Sequence, residues 1–188
     1  GLPYVIERWP EVIVCGPEKA RQVFERPGAV SMIESMGKTA SLHYGKDPKE
    51  VTVSGLRVDR VLKNGDIIDM GPEKILAFET KGHTDCSMSY LLEPEGILLA
   101  SESTGVISKE GVLRTSILKS FDDSLESAAS LKLLPFKYIL VPHYGILCRD
   151  FNDRYFDMYK EEAEKERENL KEQCFIRAKA IAYILQDR

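Results

Sequence analysis

The residues Phe78-Glu79-Thr80-Lys81-Gly82-His83-Thr84-Asp85-Cys86-Ser87-Met88 are the most informative stretch of the chain, because they join two apolar segments through a Gly-His-Thr turn. A glycine allows the backbone to turn tightly where a strand ends, and the imidazole that follows is then exposed. Histidines presented in this way are typical metal ligands. The stretch therefore predicts two strands joined by a turn, with His83 as a metal ligand.

Two later segments also place a metal-binding side chain at the end of an apolar run. Leu98-Leu99-Ala100-Ser101-Glu102-Ser103-Thr104-Gly105 does so with a carboxylate, and Tyr138-Ile139-Leu140-Val141-Pro142-His143-Tyr144-Gly145 does so with an imidazole. Imidazole nitrogens and carboxylate oxygens are common ligands of divalent metals in proteins. We therefore predict a metal-binding set of His83, Glu102 and His143.

This ordered set resembles the second half of the metallo-β-lactamase superfamily, of the glyoxalase II and flavo-diiron type, in which G-H-T, S-G-D and P-x-H-G follow successive strands. The resemblance implies an α/β fold, a metallo-β-lactamase-like αβ/βα sandwich. The chain would form the central and C-terminal part of this sandwich, as one domain over residues 1–188. It also implies two divalent metal ions, with zinc as the first expectation and iron or manganese as alternatives.

The chain departs from the family pattern at two places. Its three histidines are His43, His83 and His143, so the H-x-H-x-D-H motif is absent from the sequence. Glu102 also stands where the family has the aspartate that bridges the two ions. The opening residues, 1–12, resemble the segment that follows the missing motif. We therefore expect an N-terminally incomplete domain, with a natural half-domain as the alternative.

The resemblance implies a metal-dependent hydrolase of a small ester, thioester or phosphoester that uses a metal-activated water. One alternative is a non-haem di-iron redox protein of the flavo-diiron type, because carboxylate-rich ligation suits iron. The other is a metal-free binding domain that kept the fold.

Residues next to the predicted ligands are candidates for contacts with the ligands or the substrate. These are Thr84, Ser101 and Tyr144. His43 matches no motif and is more consistent with an ordinary surface or core histidine, although a place at the substrate mouth stays open. Cys86 has no base beside it in the sequence, so we expect a small buried side chain and not a nucleophile.

Composition limits the classes of partner. The 188 residues are 43% hydrophobic with a net charge of −4, which is ordinary for one globular domain. No clustered basic surface is indicated, so neither nucleic acid nor an anionic membrane is an expected partner. A small-molecule substrate is expected, and a Glu/Lys-rich C-terminal helix would also allow a homo-dimer. The four cysteines show no C-x-x-C spacing, which favours a reduced, cytoplasmic location.

Local patterns predict alternating helices and strands. Asn64-Gly65 is a strong signal for a tight turn between two short strands, and Ser120 with Asp123 is typical of a helix start. Met32 and Met36 are expected in the core. The predicted helices are 2–8, 17–24, 29–44, 151–173 and 175–185, with a further helix starting at Ser120, and the predicted strands are 12–15, 61–62, 67–68, 75–80, 87–92, 97–101 and 138–141.

Overall fold

The computed structural model describes residues 1–143 and 145–186, and it describes side chains throughout these ranges except at 148–153 and 176–186. The chain divides into two compact units, Gly1–Asn64 and Gly65–Arg188. Each unit is described by itself below. A single domain over residues 1–188 stays a prediction.

The first unit consists mainly of helices with one short pair of parallel strands. The predicted helices of this unit are confirmed, and the longest continues through Gly37. Its elements are α1 (Leu2–Arg8), β1 (Cys15–Pro17), α2 (Glu18–Phe24), α3 (Pro27–His43), a 3-10 turn (Pro48–Glu50) and β2 (Arg60–Leu62).

The strand predicted at 12–15 is wrong in position, because β1 begins only at Cys15. The main chain before it is bound by the side chain and amide of Asp59 and by the amide of Arg60, the first residue of β2. The Val14 amide donates to Oδ2 of Asp59 at 2.8 Å, and the Asp59 amide donates back to the Val14 carbonyl at 2.8 Å. Arg57 completes the arrangement with its Nε 2.8 Å from Asp59 Oδ1.

The predicted tight turn at Asn64-Gly65 between two short strands is confirmed, but these two strands do not pair with each other. β2 pairs with β1, whereas the strand that follows the turn pairs with a later strand of the second unit. The Gly65 amide donates to the Ala77 carbonyl at 2.8 Å, and the Ala77 amide donates to the Asp66 carbonyl at 2.9 Å. These distant partners determine the path of the chain after the turn.

The second unit is built on a six-stranded sheet with the order β10-β9-β6-β5-β4-β3. Neighbouring strands are antiparallel except β6 and β9, which are parallel and joined by a connection that contains a helix. The elements are β3 (Ile67–Asp69), β4 (Lys74–Glu79), β5 (Met88–Glu93), β6 (Ile97–Leu99), a 3-10 turn (Glu102–Thr104), β7 (Val106–Ile107), β8 (Leu113–Arg114), α4 (Phe121–Lys132), β9 (Tyr138–Val141), β10 (Gly145–Cys148) and α5 (Arg149–Gln186). The predicted α/β class is confirmed.

The core of this unit lies between the sheet and the helices α4 and α5. Removing its apolar surface from water is the main stabilising contribution to such a core. The C-terminal helix contributes an apolar side to this core, where Tyr155, Phe156 and Tyr159 are buried. The buried members from the other elements are Leu91, Leu98, Ala128, Leu131, Ile139 and Val141.

The two predicted C-terminal helices are one continuous helix, α5. No glycine or proline occurs between Arg149 and Gln186, so nothing in the sequence interrupts the helical hydrogen bonds. The prediction that Met32 and Met36 are core residues is wrong, since both side chains on α3 are exposed. Among the helices that the structure describes, none has the length and apolar character needed to cross a membrane.

Candidate metal centre

The carboxylate of Glu102 lies between the imidazoles of His83 and His143. His83 Nε2 is 2.8 Å from Oε2 of Glu102, and His143 Nε2 is 2.8 Å from Oε1. The exposed fractions of the three side chains are 18% for His83, 34% for Glu102 and 52% for His143. The structure thus brings together the three residues that the sequence predicted as ligands, with His143 as the most solvent-exposed member.

His83 is placed by the loop between β4 and β5. Gly82 has a φ of 131°, a conformation that side chains with a Cβ rarely adopt. The His83 amide then donates to Oγ of Ser103, at 3.0 Å, in the turn that carries Glu102. This hydrogen bond joins the His83 loop directly to the Glu102 turn.

The imidazole of His83 is oriented by Ser116, in the segment between β8 and α4. His83 Nδ1 lies 2.5 Å from the Ser116 carbonyl oxygen and 3.1 Å from its Oγ. A carbonyl oxygen can only accept, so Nδ1 carries the hydrogen. In the neutral ring Nε2 then has a lone pair, and this lone pair faces an oxygen of Glu102 that is also an acceptor. A metal ion bound by both atoms would satisfy them, whereas a protonated ring would donate to the carboxylate.

Glu102 is the first residue of the 3-10 turn that follows β6. Ser101 caps this turn, since its Oγ accepts a hydrogen bond from the Ser103 amide at 3.3 Å. The same Oγ is 2.9 Å from Oγ1 of the buried Thr80, which in turn is 3.0 Å from Oγ of Ser89. The predicted residue Ser101 therefore supports the turn that presents the carboxylate.

His143 follows the end of β9 in a strained backbone conformation. Its φ of 73° lies in the left-handed region, which residues other than glycine adopt at a cost of about 1–3 kcal/mol. The residue forms an isolated parallel bridge with Ile107. Such strain persists where the surroundings hold it and is frequent at functional sites.

The remaining predicted residues lie in different surroundings. Thr84 makes its contacts within its own turn, with Oγ1 2.8 Å from Oγ of Ser87 and 3.4 Å from Sγ of Cys86. Cys86 is half-buried. His43 lies in the first unit, where its ring stacks edge-to-face on Tyr44 beside an open cavity of about 500 Å³. Tyr144 falls outside the described residues.

Comparison with solved structures gives a consistent result for the fold. An archaeal metallo-β-lactamase superfamily protein from Sulfolobus tokodaii matches with a TM-score of 0.62 and 17% identity, covering 84% of this chain and 61% of that one. A B3 metallo-β-lactamase matches with a TM-score of 0.54 and 18% identity, over 80% of this chain and 67% of that one. The chain has the metallo-β-lactamase fold.

Flavo di-iron proteins also carry the metallo-β-lactamase fold found here. A mutant flavo di-iron protein from Thermotoga maritima matches with a TM-score of 0.59 and 18% identity, over 86% of this chain and 39% of that one. The chain therefore spans less than two thirds of the Sulfolobus and Thermotoga proteins. No protein-family model matches the chain. The resemblance noted in the sequence is confirmed at the level of the fold.

The donors presented by this metallo-β-lactamase fold suit divalent ions in type and are incomplete in number. Glu102 offers one oxygen beside each imidazole, which gives two pairs of donors. Catalytic zinc usually has three protein ligands. Among the residues whose side chains the structure describes, no group of three or more His, Cys, Asp or Glu is arranged to hold one ion. A metal ion bound here would therefore need further ligands beyond these three side chains.

Several residues that support the centre were not predicted. Ser116 contacts His83 across a separation of 33 residues, and Ser103 contacts it across 20. Tyr155 and Tyr159 of α5 donate hydrogen bonds to the Glu102 turn across still longer separations. Serine and tyrosine in these segments match no motif, and three of the contacts use main-chain carbonyls, which every residue has. No local signal could have identified them.

Proposed function

We propose that this chain carries part of the centre of a metal-dependent hydrolase that acts on a small ester, thioester or phosphoester. His83, Glu102 and His143 are the proposed ligands of two divalent ions, with Glu102 shared between them. Zinc is the first expectation, with iron and manganese as alternatives. The observation that carries the proposal is that the Glu102 carboxylate lies 2.8 Å from Nε2 of both His83 and His143.

The residues of the chain would contribute orientation and charge to this chemistry. Divalent ions bound there would lower the pKa of a bound water and stabilise the negative charge that develops during hydrolysis. Ser116 holds the ring of His83 so that Nε2 points at Glu102. The exposed position of His143 favours substrate entry from the His143 side of the carboxylate.

The glutamate at the bridging position has the same two oxygens as an aspartate and one more methylene. Its carboxylate reaches both imidazoles from the first residue of a 3-10 turn, and neither distance exceeds 2.8 Å. This geometry supports Glu102 as the shared ligand. It also supports divalent ions that accept oxygen ligands as occupants, since carboxylates suit such ions.

A di-iron redox protein is the second candidate. The similarity to a flavo di-iron protein from Thermotoga maritima and the carboxylate between two imidazoles favour it. Iron content together with consumption of oxygen in the presence of a reductant would distinguish this activity from hydrolysis. A small-molecule substrate, a homo-dimer and a cytoplasmic location stay predictions.

The test begins with metal binding by the purified chain. After equilibrium dialysis against zinc, elemental analysis is expected to find at least one zinc per wild-type chain. His83→Ala and His143→Ala should each remove at least one equivalent, because each loses a nitrogen donor. His43→Ala is the matched control, since it removes the third histidine of the chain from a different unit.

Activity is measured on the same samples with para-nitrophenyl acetate and bis-para-nitrophenyl phosphate. Zinc-dependent hydrolysis that His83→Ala abolishes and Cys86→Ala leaves unchanged would support the proposal. Equal zinc content in wild type, His83→Ala and His143→Ala would overturn the ligand assignment. A wild-type chain that binds neither zinc nor iron would favour the metal-free binding domain.

A further inference from the structure

Two tyrosines of α5 reach the turn that carries Glu102. Tyr159 Oη donates to the Ser103 carbonyl at 2.8 Å, and Tyr155 Oη donates to the Thr104 carbonyl at 2.8 Å. Both tyrosines are completely buried, with exposed fractions of 0% and 1%. The two carbonyls belong to the residues that directly follow Glu102. The phenol groups therefore bind the main chain of the Glu102 turn from the core side.

These hydroxyl groups have a role that packing alone does not explain. Phenylalanine at either position would bury nearly the same apolar surface and would leave a buried carbonyl without that donor. The last carbonyls of a short helical turn lack partners within the turn, so they need donors from elsewhere. Tyr155 and Tyr159 supply these donors and fix the direction in which the turn leaves β6.

The same network extends to the loop of His83. Ser124 of α4 donates through its Oγ to the Ser103 carbonyl and contacts the Tyr159 hydroxyl. Ser103 Oγ accepts the hydrogen bond from the His83 amide at 3.0 Å. Tyr159 is thus connected through one residue to both members of the pair His83–Glu102. A shift of Ser103 would move the imidazole and the carboxylate relative to each other.

The two tyrosines also pack closely against Gly105, where the chain leaves the Glu102 turn. Gly105 has a φ of 98°, and a Cβ atom there would lie 2.8 Å from Tyr159 Cδ2 and 3.1 Å from Tyr155 Oη. Only a residue without a side chain allows both rings to approach the turn in this way. The tyrosine rings therefore hold the turn by contact as well as by hydrogen bonds.

We propose that Tyr155 and Tyr159 are positioning residues that set the placement of the Glu102 carboxylate between His83 and His143. This inference rests on the proposed function, because its measurable consequence is a change in metal affinity. Changes to groups that orient metal ligands typically reduce metal affinity about 10- to 100-fold. Loss of either phenol group should therefore weaken zinc binding, although neither group touches the ion.

The experiment compares Tyr155→Phe, Tyr159→Phe and the double variant with two controls. Tyr138→Phe removes the hydroxyl of an exposed tyrosine from the same unit. Ala163→Gly destabilises the same helix at a buried position without changing any hydroxyl group. Zinc dissociation constants are measured by competition with a chromogenic chelator, well below the melting temperature of every variant. Side-chain ¹⁵N resonances of the histidines are recorded on the metal-free proteins.

Tyr159→Phe is expected to weaken zinc binding about 10-fold and to shift the ¹⁵N resonances of His83. Ala163→Gly and Tyr138→Phe should change neither quantity. Unchanged zinc affinity and unchanged resonances in the double variant would overturn the inference. If the wild type binds no zinc, the proposed function fails, and the metal-free resonances still decide between positioning and simple packing. Shifts in both Tyr159→Phe and Ala163→Gly would show a general loss of stability and would also overturn it.

Discussion

Gly82 packs against Ser124 so closely that a Cβ atom at Gly82 would lie 2.5 Å from the Cβ and 2.6 Å from the Cα of Ser124. The Gly82 carbonyl also accepts hydrogen bonds from the amides of Lys119, at 3.0 Å, and Ser120, at 3.2 Å. The start of α4 therefore fixes the main chain immediately before His83. The glycine of the Gly-His-Thr turn is needed for this approach as well as for its conformation.

Gly82→Ala should destabilise the second unit and displace His83. The positive φ alone costs an alanine about 1–3 kcal/mol, and the close contact with Ser124 adds to this. Urea unfolding checks the loss of stability, and zinc binding checks the displacement. Gly71→Ala is the matched control, because Gly71 has a φ of 92° with no atom near its Cβ position. An equal loss of stability in the two variants would contradict the importance of the contact.

The elements that the sequence predicted well are those determined by neighbouring residues. α4 begins at Ser120 because its Oγ accepts from the Asp123 amide at 3.1 Å, as the spacing indicated. β4 and β5 follow their apolar residues on both sides of the turn that carries His83. The three side chains predicted as ligands lie together, and each follows an apolar strand.

The features that the sequence did not predict depend on distant partners. A tight turn at Asn64-Gly65 is a correct local interpretation, yet β3 pairs with β4 and not with β2. The orientation of His83 depends on the main chain of Ser116, which has no side-chain signal. Met32 and Met36 fit a core helix by spacing, but spacing cannot tell which apolar face is covered.

Thr80→Val should destabilise the second unit by about 1–3 kcal/mol, the usual cost of leaving buried polar groups without partners. Thr80 is buried, and its Oγ1 is within 3.0 Å of the hydroxyls of both Ser89 and Ser101. Valine keeps the shape and removes both hydrogen bonds. Thr80→Ser keeps the hydroxyl and is the control, so it should retain the polar network. Chemical denaturation of both variants measures the difference, and a Thr80→Val variant as stable as wild type would contradict the role of the network.

The second unit should lose stability at alkaline pH through Tyr155 and Tyr159. The pKa of Tyr159 is raised to about 12, chiefly by burial; the hydrogen bond with Ser124 opposes this increase and the charge of Glu166 adds to it. Burial also raises the pKa of Tyr155. The folded state therefore favours the neutral phenols. This contribution is complete below pH 10, the ordinary pKa of tyrosine, and is lost as the pH rises toward 12.

The alkaline transition is followed by tyrosinate absorbance together with circular dichroism. Ionisation of the two buried phenols should coincide with unfolding, and Tyr159→Phe should reduce the amplitude of that step by one tyrosine. Tyr138→Phe, at an exposed position, should leave the coincident step unchanged. Ionisation of all tyrosines before any loss of structure would contradict the prediction.

The first unit should lose stability at acidic pH through Asp59. The hydrogen bond from the Val14 amide is the main cause that lowers the pKa of Asp59. Desolvation opposes it, and the adjacent Arg57 lowers the pKa further. A lowered pKa means that the folded unit favours the carboxylate. The stabilising contribution is therefore complete above the unfolded value near 3.8 and is lost as the pH falls through the folded value.

Asp59→Asn should reduce the stability of this unit at neutral pH and much less at acidic pH, where the wild-type carboxyl is also uncharged. Trp9 is the one tryptophan of the chain and lies in this unit, so its fluorescence reports the local transition. Glu11→Gln removes one negative charge from an exposed position nearby and serves as the control. If the difference in unfolding free energy between Asp59→Asn and wild type stays constant from neutral to acidic pH, the effect is due to side-chain shape and not to charge.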